Sequence, residues 1–518
     1  MIRPFAALIA LLAINAAALA EFGGLVNTIT RTDADRFGQQ VEVLDNHLVV
    51  SAPGPDHTSA ITGTIYLYEH ANNTLTLRDT RTEHNPIGAA YGLGLDTHGD
   101  FIVAASRASA DLYTIDQGAF VHLSSHNLQV DFEPIGGQYV AATNNLLITG
   151  SPDLDGGRVN VINLNTSSTT TLALPQDDWF GGQRGGPWPG RARFGFAVDA
   201  SNDYVVVGAP LAEVDGLTNA GRAYVYSATS AELLYELETG TPRSGRDHIG
   251  LSTVIHDRSV FLPDLDAEAV YQFDLDTGSI TNVFHTRNVL GSYLIGRELA
   301  VTDNLLAVAD LVTYGVALFD IRTGLHLTTL RQPAGYDASQ FGFGLAFSDQ
   351  HLYVGDPAAN SVFIYDITSP PLAGDLDDSG VLDENDLNIL SWGVFSGQND
   401  YDLDESGITD ADDLRFWIER VYDSVVGDAN LDHAVDLIDL SILASNFGSL
   451  SLRWDHGNFD GSRAIDLIDL SLLAANFGIA PPIPEPTAIS LILASWLTIA
   501  HRTPRTFRRT PDHQPPQS

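Results

Sequence analysis

Arg193-Phe194-Gly195-Phe196-Ala197-Val198, then Tyr204-Val205-Val206-Val207-Gly208-Ala209-Pro210, then Gly221-Arg222-Ala223-Tyr224-Val225-Tyr226 are three β-rich runs parted by polar turns. The same order recurs upstream as Arg36-Phe37-Gly38, Leu48-Val49-Val50-Ser51-Ala52-Pro53 and Gly63-Thr64-Ile65-Tyr66-Leu67-Tyr68. It recurs downstream as Gln340-Phe341-Gly342-Phe343-Gly344, Leu352-Tyr353-Val354-Gly355-Asp356-Pro357 and Ser361-Val362-Phe363-Ile364-Tyr365. Fainter leading words stand at Tyr91-Gly92-Leu93-Gly94, Gly136-Gly137-Gln138-Tyr139, Ile249-Gly250-Leu251 and Ile295-Gly296. Seven starts result, at 37, 91, about 138, 194, 249, 295 and 341, a period of roughly 45 to 58 residues. A fourth run often closes the unit, as at Thr74 to Arg78, Leu233 to Leu237 and Leu325 to Leu330. Four short antiparallel strands cannot bury both faces alone, and radial packing of seven such units solves that problem.

The last unit has three runs and then Ser369-Pro370-Pro371, which cannot extend a ladder. Leu25-Val26-Asn27-Thr28-Ile29-Thr30 precedes the first unit with no neighbour to pair with. The N-terminal segment is therefore expected to supply the fourth strand of the seventh unit. The Phe-Gly and Gly-Ala-Pro words resemble the FG-GAP blades of integrin-like propellers. The resemblance implies a mainly β fold, a seven-bladed β-propeller over 21–368. Blades of that kind often hold a calcium loop, and the nearest traces here are Asp153-Leu154-Asp155-Gly156 and Glu213-Val214-Asp215-Gly216. Both read more simply as Asp-Gly turns.

Composition narrows the function. Among 518 residues, 26 basic residues stand against 66 acids, for a net charge of −40. Nucleic-acid binding needs a basic surface and is excluded as an expectation. Cys is absent, which removes disulfides, thiolate metal sites and Cys nucleophiles. Every basic residue is Arg, so a P-loop lysine and a Schiff-base lysine are impossible.

About half of the charge lies between 373 and 480, where 23 acids and four Arg give a net of −19. The acids are spaced in four twelve-residue loops. At positions 1, 3, 5, 7, 9 and 12 the first loop has Asp375, Asp377, Ser379, Val381, Asp383 and Asp386. The second has Asp402, Asp404, Ser406, Ile408, Asp410 and Asp413. The third has Asp428, Asn430, Asp432, Ala434, Asp436 and Asp439. The fourth has Asn458, Asp460, Ser462, Ala464, Asp466 and Asp469. Side-chain oxygens at 1, 3, 5, 9 and 12, with the carbonyl at 7, form the Ca²⁺ cage of an EF-hand loop. Position 6 is Gly380 and Gly407 in the first two loops but His433 and Arg463 in the others, which are expected to bind more weakly. Position 8 is apolar in three loops (Leu382, Val435, Ile465) and Thr409 in the second. After the third and fourth loops, Leu440, Leu443, Ala444, Phe447 and Leu470, Leu473, Ala474, Phe477 read as apolar helix stripes ending at Gly448 and Gly478.

Loop followed by helix, in tandem, resembles type I dockerin repeats. The resemblance implies a small all-α calcium-binding region of two pairs, 373–423 and 425–480, that binds a cohesin-like or other surface protein. In that family positions 10 and 11 face the partner. Here they are Leu437-Ile438 and Leu467-Ile468, which would present two similar faces. Their alternative is to pack on each other or on the propeller.

The two ends read as addresses. A charged start, an apolar run from Phe5 to Ala17 and Ala18-Leu19-Ala20 make residues 1–20 a signal peptide. Pro484-Glu485-Pro486, an apolar stretch and an Arg-rich tail over 483–510 resemble the PEP-CTERM sorting signal of Gram-negative-type bacteria. The expected location is the cell surface or extracellular matrix, with membrane contact only through that C-terminal helix. No Gly-x-Ser-x-Gly, His-Glu-x-x-His or Walker motif is present, and no catalytic residue is assigned. Asp177-Asp178-Trp179-Phe180 and Trp188 form a loop whose aromatics would suit stacking on a glycan or packing on the propeller. The leading expectation is a calcium-dependent binding or adhesion protein. The alternative is a carbohydrate-binding or glycoside-cleaving part of a polysaccharide-degrading system.

Overall fold

The computed structural model describes residues 22–479, apart from 55–62, 72–73, 83–89, 107–108, 128–138, 153–156, 176–191, 218, 241–247, 291–294, 311 and 337–339. Two compact units divide after Leu382. The readings of 1–20, 483–510, Asp153 to Gly156 and the Asp177 to Trp188 loop lie outside the described residues.

The first unit is a seven-bladed propeller. Its strands form seven four-stranded antiparallel sheets, each made of consecutive strands except one. The first blade comprises Val41–Leu44, His47–Ala52, Thr64–Ala71 and Thr74–Thr82. The innermost strands of the others are Gly94–His98, Val140–Ala142, Ala197–Ala200, Val254–His256, Ile295–Val301 and Gly344–Phe347. Each touches the innermost strand of the next blade, and the seventh touches the first, so the ring is closed. One short helix, α1 (Arg287–Leu290), lies between the fifth and sixth blades.

The exceptional sheet is the seventh, where Leu25–Thr30 pairs with Ser361–Asp366, Thr28 lying opposite Phe363. The start of the propeller is thus the outer strand of its last blade, as the unpaired N-terminal run led one to expect. Buried apolar clusters sit between blades rather than within them. One joins Phe37, Val41, Val50 and Tyr66 of the first blade to Tyr353, Val362 and Ile364 of the seventh. Others bridge the remaining neighbours round the ring. The recurring Phe explains itself here. Phe37, Phe194 and Phe341 are fully buried, and each meets an aromatic pair of the third strand. Phe194 lies 5.5 Å from Tyr224 and 6.2 Å from Tyr226, and Phe37 lies 5.3 Å from Tyr66 and 6.2 Å from Tyr68. Burying one such ring is worth about 1.5–3 kcal/mol, and each edge-to-face contact adds about 1 kcal/mol.

The second unit is helical. It contains α2 (Glu384–Ser396), α3 (Ala411–Phe416), continued as a wider turn over Trp417–Val421, α4 (Leu437–Asn446) and α5 (Leu467–Asn476). Its small core holds Leu387, Leu414, Trp417, Val435, Leu443, Trp454, Ile465 and Leu473, all almost fully buried. The Trp454 indole donates to the Asp428 carbonyl at 2.7 Å. The third and fourth loop–helix repeats exchange contacts. Val435 accepts from the Gly478 N–H at 2.8 Å beyond α5, and Ile465 accepts from the Gly448 N–H at 2.8 Å beyond α4. Gly448 and Gly478 take left-handed φ of 81° and 90° and stop the helices, as read from the sequence.

The apolar stripes of α4 and α5 were read too broadly. Leu443 and Leu473 are buried, and Leu440 and Leu470 are half-buried. Ala444 and Ala474 are exposed, and so are Phe447 (47 %) and Phe477 (48 %). Two ten-residue helices offer little area for packing, and the loops' own Val435 and Ile465 fill the centre of the pair instead.

Candidate functional site

The four acidic loops are built by the starts of the helices that follow them. At position 9, Asp383, Asp410, Asp436 and Asp466 are N-caps and accept from backbone N–H groups two residues on at 2.7, 2.8, 2.6 and 2.7 Å. At position 12, Asp386, Asp413, Asp439 and Asp469 accept from the cap's own N–H at 2.9, 2.7, 2.8 and 2.9 Å. These reciprocal capping boxes satisfy two otherwise orphaned donors and cost about 1 kcal/mol each to lose. In loops two, three and four the second oxygen of position 12 accepts from the N–H of position 2. Those donors are Leu403 at 2.5 Å, Ala429 at 2.8 Å and Phe459 at 2.7 Å. A buried carboxylate thereby straps the front of the loop to the helix behind it.

The boundary between the units falls inside loop one. In the first half Asp375 accepts from Gly380 N–H at 2.6 Å and from Ser379 N–H at 3.0 Å. In the second half Asp383 and Asp386 form the capping box of α2. Loop two lies wholly within the second unit. Carboxylate oxygens of Asp402, Asp404 and Asp413 come within 4.8 Å of one another. Ser406 Oγ lies 3.1 Å from the Ile408 carbonyl oxygen, so positions 5 and 7 also converge. The same 3.1 Å separates Ser462 Oγ from the Ala464 carbonyl in loop four. Two position-1 oxygens, Asp402 Oδ1 and Asn458 Oδ1, are buried with no hydrogen-bond partner among the described residues. Hard oxygens with an unmatched acceptor are the kind of donor set that a calcium ion takes.

The backbone separates the loops. Position 4 is left-handed in all four, at Asp378, Glu405, Leu431 and Gly461. Position 6 is left-handed at Gly380 (φ 81°), Gly407 (φ 99°) and also His433 (φ 65°). His433 bears the strain that glycine avoids, about 1 kcal/mol. Its ring stacks on Tyr422 at 4.8 Å, and Tyr422 stacks on Trp417 at 5.5 Å. Arg463 does not take that conformation, so loop four runs differently at this point. Asn430 and Asn458 replace carboxylates in loops three and four, and neither loop gathers three acids as loop two does.

In loop two, burial and crowding disfavour ionisation. Burial first, and Asp404 beside it, raise Asp402. Burial pushes Asp413 up to about 6, and burial followed by Asp402 pushes Glu405 up to about 7. Burial likewise raises Asp428 and Asp469. A bound cation would reverse this cost.

The expected partner residues stand clear of their own unit. Leu437 and Leu467 are each 71 % exposed, Ile438 54 % and Ile468 56 %, so within the helical unit they do not pack on one another. Position 7 is also open at Val381 and Ile408, whereas Ala434 and Ala464 are half-buried. On the propeller, Glu213 to Gly216 forms a tight turn closed by Val214 and Leu217, and it is not part of any acidic group gathered among the described residues. His256, Asp257 and Asp303 make an exposed surface group in which His256 meets Asp303 at 2.8 Å.

Sequence reasoning missed a second set of acids. Glu42, Asp96, Asp199 and Glu298 come from four innermost strands and line the central channel. The signal was available: Glu42, Asp96 and Asp199 each stand four residues after the leading glycine of their blade (Gly38, Gly92, Gly195).

One family model supports the propeller. An FG-GAP repeat matches residues 190–226. No curated protein matches the chain. Two solved structures each cover 66 % of this chain and 99 % of their own. BamB from Moraxella catarrhalis is 12 % identical with a TM-score of 0.37. The Cps50 (Swd1) β-propeller domain from Myceliophteria thermophila is 13 % identical with a TM-score of 0.45. Neither likeness bears on the blade count, which stands on the strand pairing. The chain is a seven-bladed β-propeller carrying an FG-GAP repeat, followed by a small helical unit.

Proposed function

We propose that this is an exported, calcium-binding attachment protein. A propeller with an FG-GAP repeat suits a ligand-binding or protein-interaction module. The dockerin-like loops would take Ca²⁺ and, once ordered, present Leu437-Ile438 and Leu467-Ile468 to a cohesin-like or other surface protein. Export rests on the two terminal signals read in the sequence, and a glycan remains the natural class of ligand to test on the propeller. The observation that carries the calcium reading is the Asp402, Asp404 and Asp413 cluster with its unmatched Asp402 Oδ1.

Loop two has the full set of oxygens: Asp402, Asp404 and Ser406, the Ile408 carbonyl, Asp410 and Asp413. The capping box of α3 holds Asp413 at the back of the loop, where a twelfth-position ligand would close the cage. Calorimetric titration of Ca²⁺ into the chelator-treated full chain is the test. At least two sites are expected, and Asp402→Asn with Asp404→Asn should remove one of them. Absence of binding heat in the unsubstituted protein, or an unchanged site count in the double variant, sinks the reading.

A further inference from the structure

The propeller channel gathers acids in a manner unlike the loops. Its cavity of about 270 Å³ is lined by Glu42, Asp96, Asp199 and Glu298, and no Arg is among its lining residues. The nearby Arg297 is turned to the Phe343 ring, its guanidinium 4.7 Å from the centroid. His98 also lines the cavity, and burial lowers its pKa, which disfavours its charged form. Two of the acids are held in place by neighbouring blades. Asp96 accepts from the Ala142 N–H at 2.6 Å, and Asp199 accepts from the Ile255 N–H at 2.6 Å. Glu42 lies 3.5 Å from Thr97 Oγ1, whose hydroxyl also reaches the Val43 carbonyl at 3.1 Å. Burial, and then mutual repulsion, raise Glu42 and push Asp96 up to about 8.

A further observation, independent of the acids, points to a ligand. Gln40 is only 9 % exposed and lines the same cavity, and its Oε1 is buried with no partner among the described residues. An amide oxygen in that setting needs a donor or a cation. The carboxylates do not converge as those of loop two do, for no three of them come within 4.8 Å. That spacing cannot wrap a bare Ca²⁺. It suits a small divalent ion that keeps its water shell and is held through that shell. Roughly six waters at about 30 Å³ each fit the cavity.

We propose that the channel holds one hydrated divalent cation of the Mg²⁺ class, bound through its waters by Glu42, Asp96, Asp199 and Gln40. The probe is hexaamminecobalt(III), a hydrated-ion mimic that cannot shed its ligands. It is titrated into the full chain under saturating Ca²⁺, so that failure of the calcium loops does not mimic failure of the channel. One site is expected, weakened at least tenfold by Glu42→Gln and also by Gln40→Leu, which removes the amide oxygen at nearly constant volume. Crystals soaked in Mn²⁺ should show an anomalous peak in the channel, separated from the carboxylates by water. Lack of binding to the unsubstituted protein overturns the proposal. So does binding that survives both substitutions, which would place the probe on another acidic surface.

Discussion

Gly208 shows why the Phe-Gly and Gly-Ala-Pro words travel together. A Cβ at Gly208 would collide with the Gly250 carbonyl of the next blade, and one at Gly150 would collide with that of Gly195. One at Gly355 would meet Gly38 across the ring closure. The glycine of one word makes room for the turn of the next blade's other word, so each motif is half of an interface. This is why the first, fourth and seventh blades were legible. The channel acids show only when blades are aligned on their leading glycine, where Glu42, Asp96 and Asp199 share one offset, and a strand read singly hides it. They also set a pH dependence. Asp96 and Asp199 have folded-state values near 8 and 7, both above the ordinary carboxylate range. Groups raised on folding contribute stability that is complete below about pH 4 and is lost as pH rises through their folded values. In chelator, the propeller should therefore melt at a lower temperature at pH 9 than at pH 6. Asp96→Asn, which keeps an acceptor for Ala142, should flatten that slope. Equal melting at both pH values would contradict the assignment.

Among the elements, Leu25–Thr30 matters most for the ring. It covers the edge of Ser361–Asp366, and Ile29 packs at the cluster joining the first and seventh blades. Without it, Ser361–Asp366 presents an open ladder of the sort that pairs with other chains. Deleting residues 22–30 should lower the urea midpoint of the propeller by an amount equivalent to about 3 kcal/mol, the scale of losing several half-buried apolar side chains and a strand ladder. Light scattering should show concentration-dependent association. A deletion variant that stays monomeric with an unchanged midpoint would show that the strand is dispensable. This strand was foreseen from a missing partner at one end of the chain and an unpaired run at the other. The helices fared less well. Their caps and terminal glycines follow simple rules, but the buried face of a ten-residue helix depends on its neighbour, here the loop of the other repeat.

At the scale of the whole molecule, the chain joins two units with unlike sources of stability. The propeller buries apolar clusters between all neighbouring blades. The helical unit has a small core around Trp417 and Trp454 and a dense crowd of carboxylates. Each calcium site filled at a hundred times its dissociation constant would add about 2.7 kcal/mol. Calcium-selective chelation, with Mg²⁺ kept in solution, is accordingly expected to abolish the near-ultraviolet circular dichroism of the buried Trp417 and Trp454 while the propeller's melting shifts by less than about 3 °C. Retention of the tryptophan signal in excess chelator would show that the helical unit stands without metal.

Because the opening strand is stitched to the closing one, synthesis imposes a waiting time. Thr28 emerges some 330 residues before Phe363, its opposite number, and long-range closure of this kind is slow. Until the last blade arrives, a nascent chain carries an unclasped ribbon at each end. Once fastened, the circle has no free end from which to peel, and its lifetime is set by the rare event of that clasp letting go.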